Sequence, residues 1–159
     1  MLIVQQISVV HLEKHDILLL GVVCMKEMKG FNMGNRAKIR EEAKRLNPID
    51  DLMFRKLAED REFCQEILRV ILEDDKLIVL ESIPQWAGAN LQGRSVILDA
   101  KCIKGDGTQI DIEVQRADDD DHQRRVRYNG AILTTNIANP GTKFEKIPNV
   151  CVVFISKFD

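Results

Sequence analysis

Residues 94–115 constrain this chain most, because two β-rich runs meet there at Gly105-Asp106-Gly107. Glycines flanking an aspartate between alternating runs suit a three-residue hairpin loop, with Gly107 in the left-handed position. Such a loop sets the register. Lys104 pairs with Thr108, and further pairs step outward by one residue on each strand. Leu98 then falls opposite Val114, Ala100 opposite Ile112 and Cys102 opposite Ile110. One face of the hairpin is therefore apolar and suited to burial. On the other face Asp99 falls opposite Glu113, Lys101 opposite Asp111, and Gln115 follows Glu113. Like charges directly opposite each other destabilise a hairpin. A cation between them offsets that cost, and Mg²⁺ or Mn²⁺ takes hard oxygen ligands from one or two carboxylates, waters and phosphate. The alternative is a solvated hairpin face with a slipped register. Lys101 and Asp111 read as a cross-strand ion pair, with Lys101 as a displaced catalytic lysine the second reading.

The flanking segments supply further elements. Asn47-Pro48 has the form of an N-cap followed by proline at the first helical position. Leu52, Met53, Leu57, Phe63, Ile67, Leu68 and Ile71 keep helical spacing over residues 49–72, as one helix or two abutting ones. Residues 76–83 are a strand that Pro84 is expected to stop, and residues 85–93 a loop. Residues 94–103 and 108–115 are the hairpin strands. Residues 117–137 read as a helix, with the aspartates at 118–121 at the positive end of its dipole. Residues 150–155, Val-Cys-Val-Val-Phe-Ile, form a buried strand. The order is α-β-β-β-α-β. Residues 1–32 sustain neither period, so they are expected to be an extension outside a domain spanning 33–159.

Composition narrows the function. A chain of 159 residues with 45% apolar and 30% charged residues is an ordinary soluble globular domain. A net charge of −2 excludes a histone-like polycation but allows one local basic face. Aromatic residues, at 5%, are too few for a stacking platform that binds single strands. Cys24, Cys64, Cys102 and Cys151 form no CxxC pair, which points to reduced thiols in a cytoplasmic protein rather than a zinc site or a disulfide framework. No run reaches the roughly 18 apolar residues of a membrane span.

Taken together, Asp99 on the second strand, Glu113-Val114-Gln115 on the third and the α-β-β-β-α-β order resemble the PD-(D/E)xK nuclease superfamily. Within it the chain is similar to the recombination-promoting nuclease / transposase family. The stretches that carry this are Asp51-Leu52-Met53-Phe54-Arg55, Ile97-Leu98-Asp99, Ile112-Glu113-Val114-Gln115 and Arg125-Val126-Arg127-Tyr128. The resemblance covers residues 47–159. It implies an α/β (α+β) restriction-endonuclease-like core, a central mixed sheet flanked by helices. It also implies Mg²⁺- or Mn²⁺-dependent cleavage of DNA in recombination or transposition. Asp99 and Glu113 would be the catalytic metal ligands, Asp51 a supporting acid, and Arg125 and Arg127 the DNA-phosphate contacts.

Gln115 takes the place of the signature lysine. An amide carries no charge and cannot act as a base, so its implied role is to orient the attacking water. A non-catalytic DNA-binding or interaction domain on the same fold, such as a truncated transposase remnant, is the competing reading. Members of the family continue past this sequence's last residue. The resemblance therefore implies a chain truncated at its carboxy terminus, with uncovered apolar surface that promotes homo-oligomers.

Overall fold

The computed structural model describes residues 6–11, 51–115 and 122–156, with only the backbone of residues 6–11, 51, 52 and 156. In chain order the elements are β1 (Gln6–His11), α1 (Asp51–Leu57), α2 (Arg61–Ile71), β2 (Val79–Gly88), β3 (Val96–Lys104), β4 (Gln109–Gln115), α3 (His122–Ile137), a short 3₁₀ turn (Phe144–Lys146) and β5 (Val150–Ser156). The strands form one mixed sheet in the order β1-β5-β4-β3-β2. β2, β3 and β4 are antiparallel neighbours, while β4 with β5 and β5 with β1 are parallel. The α3 segment is the crossover that the parallel β4–β5 pair requires.

The hairpin loop forms as its glycines predict. Gly107 has φ +87°, its N–H donates to the Lys104 carbonyl at 2.8 Å, and the Lys104 N–H donates to the Thr108 carbonyl at 2.9 Å. The Asp106 carboxylate accepts from the Thr108 N–H at 2.9 Å, closing the turn. From there the expected register holds through Cys102 with Ile110, Lys101 with Asp111 and Ala100 with Ile112.

The helical stretch resolves into two helices. Asp60 accepts from the Glu62 N–H at 2.8 Å and caps α2 afresh, so α1 and α2 do not merge. Their apolar residues Phe54, Phe63, Ile67 and Leu68 pack on Ala100, Cys102, Ile110, Ile112, Val153 and Ile155. Val126, Ile132 and Leu133 of α3 pack on the opposite side of the sheet, against Val152 and Phe154. Alternate residues of β5 thus serve the two layers, as strand geometry dictates.

Two expectations change. The strand expected to stop before Pro84 instead runs to Gly88, with Pro84 paired to Ala100. β2 is an edge strand, where the missing proline N–H costs no ladder bond. The pairing of Leu98 with Val114 is not made. Leu98 packs beneath α3, whereas Val114 packs with the α1 and α2 layer. The cause is a break in β3: Leu98 and Ala100 lie two residues apart yet pack on opposite layers, against regular strand geometry. Across from it Gln85 has φ 52°, and the ladder skips Gln85 and Asp99 while keeping its register on either side.

α3 begins at His122, and the aspartates at 118–121 lie outside the described residues. Within the stretch read as an extension, Gln6–His11 takes an edge position parallel to β5, and the rest of residues 1–32 lies outside the described residues.

A side chain at Gly107 would meet no atom within 4 Å, so only the backbone conformation opposes it. Gly107→Ala should therefore cost about 1 kcal/mol in equilibrium urea unfolding. Gly105→Ala, whose added carbon makes only an ordinary contact with Ile78, should cost less than half as much.

Candidate active site

Where β3 breaks away from β4, backbone N–H groups lose their strand partners and need others. Two carboxylates supply them. The Asp99 N–H donates to Oε1 of Glu113 at 3.3 Å, and the Val114 N–H donates to Oδ2 of Asp99 at 3.0 Å. The expected face-to-face ladder pair is absent, but the structure does bring Asp99 and Glu113 together, 8% and 3% exposed. Each acid also has its own guanidinium. Nε of Arg55, from α1, lies 3.4 Å from Oδ1 of Asp99, and Nη2 of Arg125, from α3, lies 3.6 Å from Oε2 of Glu113. Nη1 of Arg125 also donates to Oε1 of Gln115. The implied phosphate contact is therefore engaged with the acid site itself. Its guanidinium lies 5.7 Å from the centroid of the Phe154 ring, an attractive cation–π placement.

Burial first, then the charge of Asp99, raises Glu113 from 4.5 to about 7, against the opposing pull of the Asp99 N–H and Arg125. Asp111 is fully buried, and burial first, then Glu113, holds its carboxyl well above the usual carboxylate range. Its Oδ2 accepts from the Asn129 amide at 3.4 Å, while Oδ1 is buried without a hydrogen bond. The expected ion pair with Lys101 does not form among the described residues, although the two residues are register partners. The Lys101 ammonium lies instead 4.9 Å over the Trp86 ring. Burial lowers its pKa, against the opposing charge of Glu81.

Arg127 is exposed on α3. It lines a cleft of about 880 Å³ together with Arg94, Arg124, Arg125 and Tyr128, with Glu113 in its wall. Arg94 is placed by a braced loop. The Tyr128 hydroxyl donates to the Arg94 carbonyl, Asn90 Nδ2 donates to that hydroxyl at 3.1 Å, and Asn136 clasps Ala89 through bonds of 3.2 and 3.0 Å. Asp51 opens α1 one turn before Arg55, and its side chain lies outside the described residues. Sequence reasoning missed Arg55, Arg94, Arg124, Asp111 and Asn129 as parts of the site. Arg55 did carry a signal, as the last residue of the 51–55 stretch.

Among the described residues, no three acidic, histidine or cysteine side chains converge into a preformed metal cage. A hard divalent ion needs less, since Mg²⁺ is held by one or two carboxylates with waters and substrate phosphates. The all-oxygen pair of Asp99 and Glu113, brought together by their hydrogen bonds, fits that requirement.

The class follows from this layout: an α+β fold of the restriction-endonuclease type, with an acid pair where two sheet strands part. Residues 48–159 match the family described as PD-(D/E)XK nuclease family transposase, and the chain belongs to that family. No curated protein and no solved structure matches it. Its function is therefore of the nuclease and transposase type, a class whose members generally use divalent metals. Among the described residues no helix is long and apolar enough to cross a membrane.

The raised Glu113 makes a pH prediction. Below about 4.5 the group is protonated in both folded and unfolded states. Between there and about 7 only the unfolded chain releases the proton, so rising pH favours unfolding. Without metal, this group should cost on the order of 3 kcal/mol of stability across that window. Urea unfolding at stepped pH should show the loss in the wild type and its absence in Glu113→Gln.

Proposed function

We propose that the protein is a metal-dependent endonuclease that hydrolyses DNA phosphodiester bonds in recombination or transposition. The observation that carries this reading is the buried acid pair, with Glu113 accepting from the Asp99 N–H and Asp99 from the Val114 N–H, beside an arginine-lined cleft. The guanidinium groups of Arg94, Arg124 and Arg127 suit DNA phosphates, which they meet with paired N–H donors. Asp99 and Glu113 would hold Mg²⁺ or Mn²⁺. When bound, such an ion lowers the pKa of a water and offsets charge developing on the phosphate. Gln115 orients the attacking water through its amide, and Arg55 aims the Asp99 carboxylate. Asp51, one turn from Arg55, supports the site. The free, buried thiols of Cys64, Cys102 and Cys151 suit a reducing, cytoplasmic setting.

A second reading, a DNA-binding domain without catalysis, draws on the uncharged Gln115 and on the arginines that already offset the acids.

Mg²⁺ or Mn²⁺ at about 100 times its Kd should stabilise the protein by about 2.7 kcal/mol. Asp99→Asn should abolish both that thermal shift and metal-dependent nicking of supercoiled plasmid. Equal metal stabilisation of the two proteins would refute the site. A wild type that binds DNA with no metal shift and no nicking would establish the second reading.

A further inference from the structure

Three arginines, Arg124, Arg125 and Arg127, stand in the N-terminal half of α3 as described. Arg124 and Arg127 face the open cleft, but Arg125 turns onto the acid site. Its guanidinium spans two strand residues at once, Oε2 of Glu113 and Oε1 of Gln115, with the Phe154 ring beneath it. The side chain remains 44% exposed, so N–H groups not used in those bonds are open to the cleft. A guanidinium has five donors in a planar fork, more than its two anchors consume.

We propose that Arg125 supplies, from the helix, the positive charge that Gln115 lacks on the strand. Gln115 is then a positioning residue: its carbonyl fixes one edge of the guanidinium, leaving the other edge to contact the scissile phosphate. The same guanidinium competes with a metal cation for Glu113, so metal binding loosens the ion pair and frees that edge for substrate. This inference rests on the nuclease reading of the site.

The test uses the full chain with Arg125→Ala, Arg127→Ala, Gln115→Lys and the double variant Arg125→Ala with Gln115→Lys. Single-turnover cleavage and DNA affinity are measured separately, and Mn²⁺ binding is titrated calorimetrically without DNA. Arg125→Ala should slow cleavage by about 100-fold with DNA Kd nearly unchanged. Arg127→Ala, in contrast, should raise the DNA Kd. Adding Gln115→Lys to Arg125→Ala should restore about tenfold of the rate, because the two changes act on one charge. Mn²⁺ should bind Arg125→Ala about threefold more tightly than wild type, because a competing cation is gone.

Arg125→Ala with wild-type cleavage and metal affinity overturns the inference and leaves the nuclease reading intact. So does a slowed Arg125→Ala that the lysine does not restore. A wild type that neither binds Mn²⁺ nor cleaves overturns the nuclease reading and this inference together.

Discussion

The break in β3 at Asp99 is the constraint on which the site depends. A strand that kept its ladder would satisfy its own N–H groups and point the two acids at each other across a regular pair. Because β3 pairs with β4 only from Ala100 onward, the donors of Asp99 and Val114 fall to Glu113 and Asp99 instead. Hydrogen bonds to a charged acceptor contribute about 1.5–3 kcal/mol each. The same bonds therefore close the opening between the strands and aim the acids. The positive φ of Gln85 and the edge position of β2 let the neighbouring strand follow the break without losing register.

Burying two acids this closely demands cations, and the fold draws them from both helical layers. Arg55 reaches Asp99 from α1 and Arg125 reaches Glu113 from α3. Burial, more than charge, still raises Glu113 to about 7 and holds Asp111 above its usual range. The result is a site folded around replaceable positive charge. On the proposed reading, that arrangement suits a divalent ion that arrives with its substrate beside the basic cleft.

Much of this was legible in the sequence. Gly105-Asp106-Gly107 carried the hairpin, its register and the proximity of Asp99 to Glu113. Residues 51–55 and 125–128 marked the helices that reach the site. What was hidden depends on contacts far apart in the chain. Register arithmetic assumes regular strands, so it could not see β3 change layers between Leu98 and Ala100. It paired Lys101 with Asp111 by adjacency, whereas Trp86 on the next strand and Asn129 on α3 draw the two apart. Pro84 reads locally as a stop, and only the place of β2 at the sheet edge makes it harmless.

Anomalous diffraction from crystals grown with Mn²⁺ tests the central claim most directly, because it locates the ion without reference to activity. The account predicts a single strong peak between the carboxylates of Asp99 and Glu113, at about 2.1 Å from their oxygens, with the Arg125–Glu113 contact lengthened. A peak elsewhere, or none at these acids with both arginine pairs intact at saturating Mn²⁺, would contradict it.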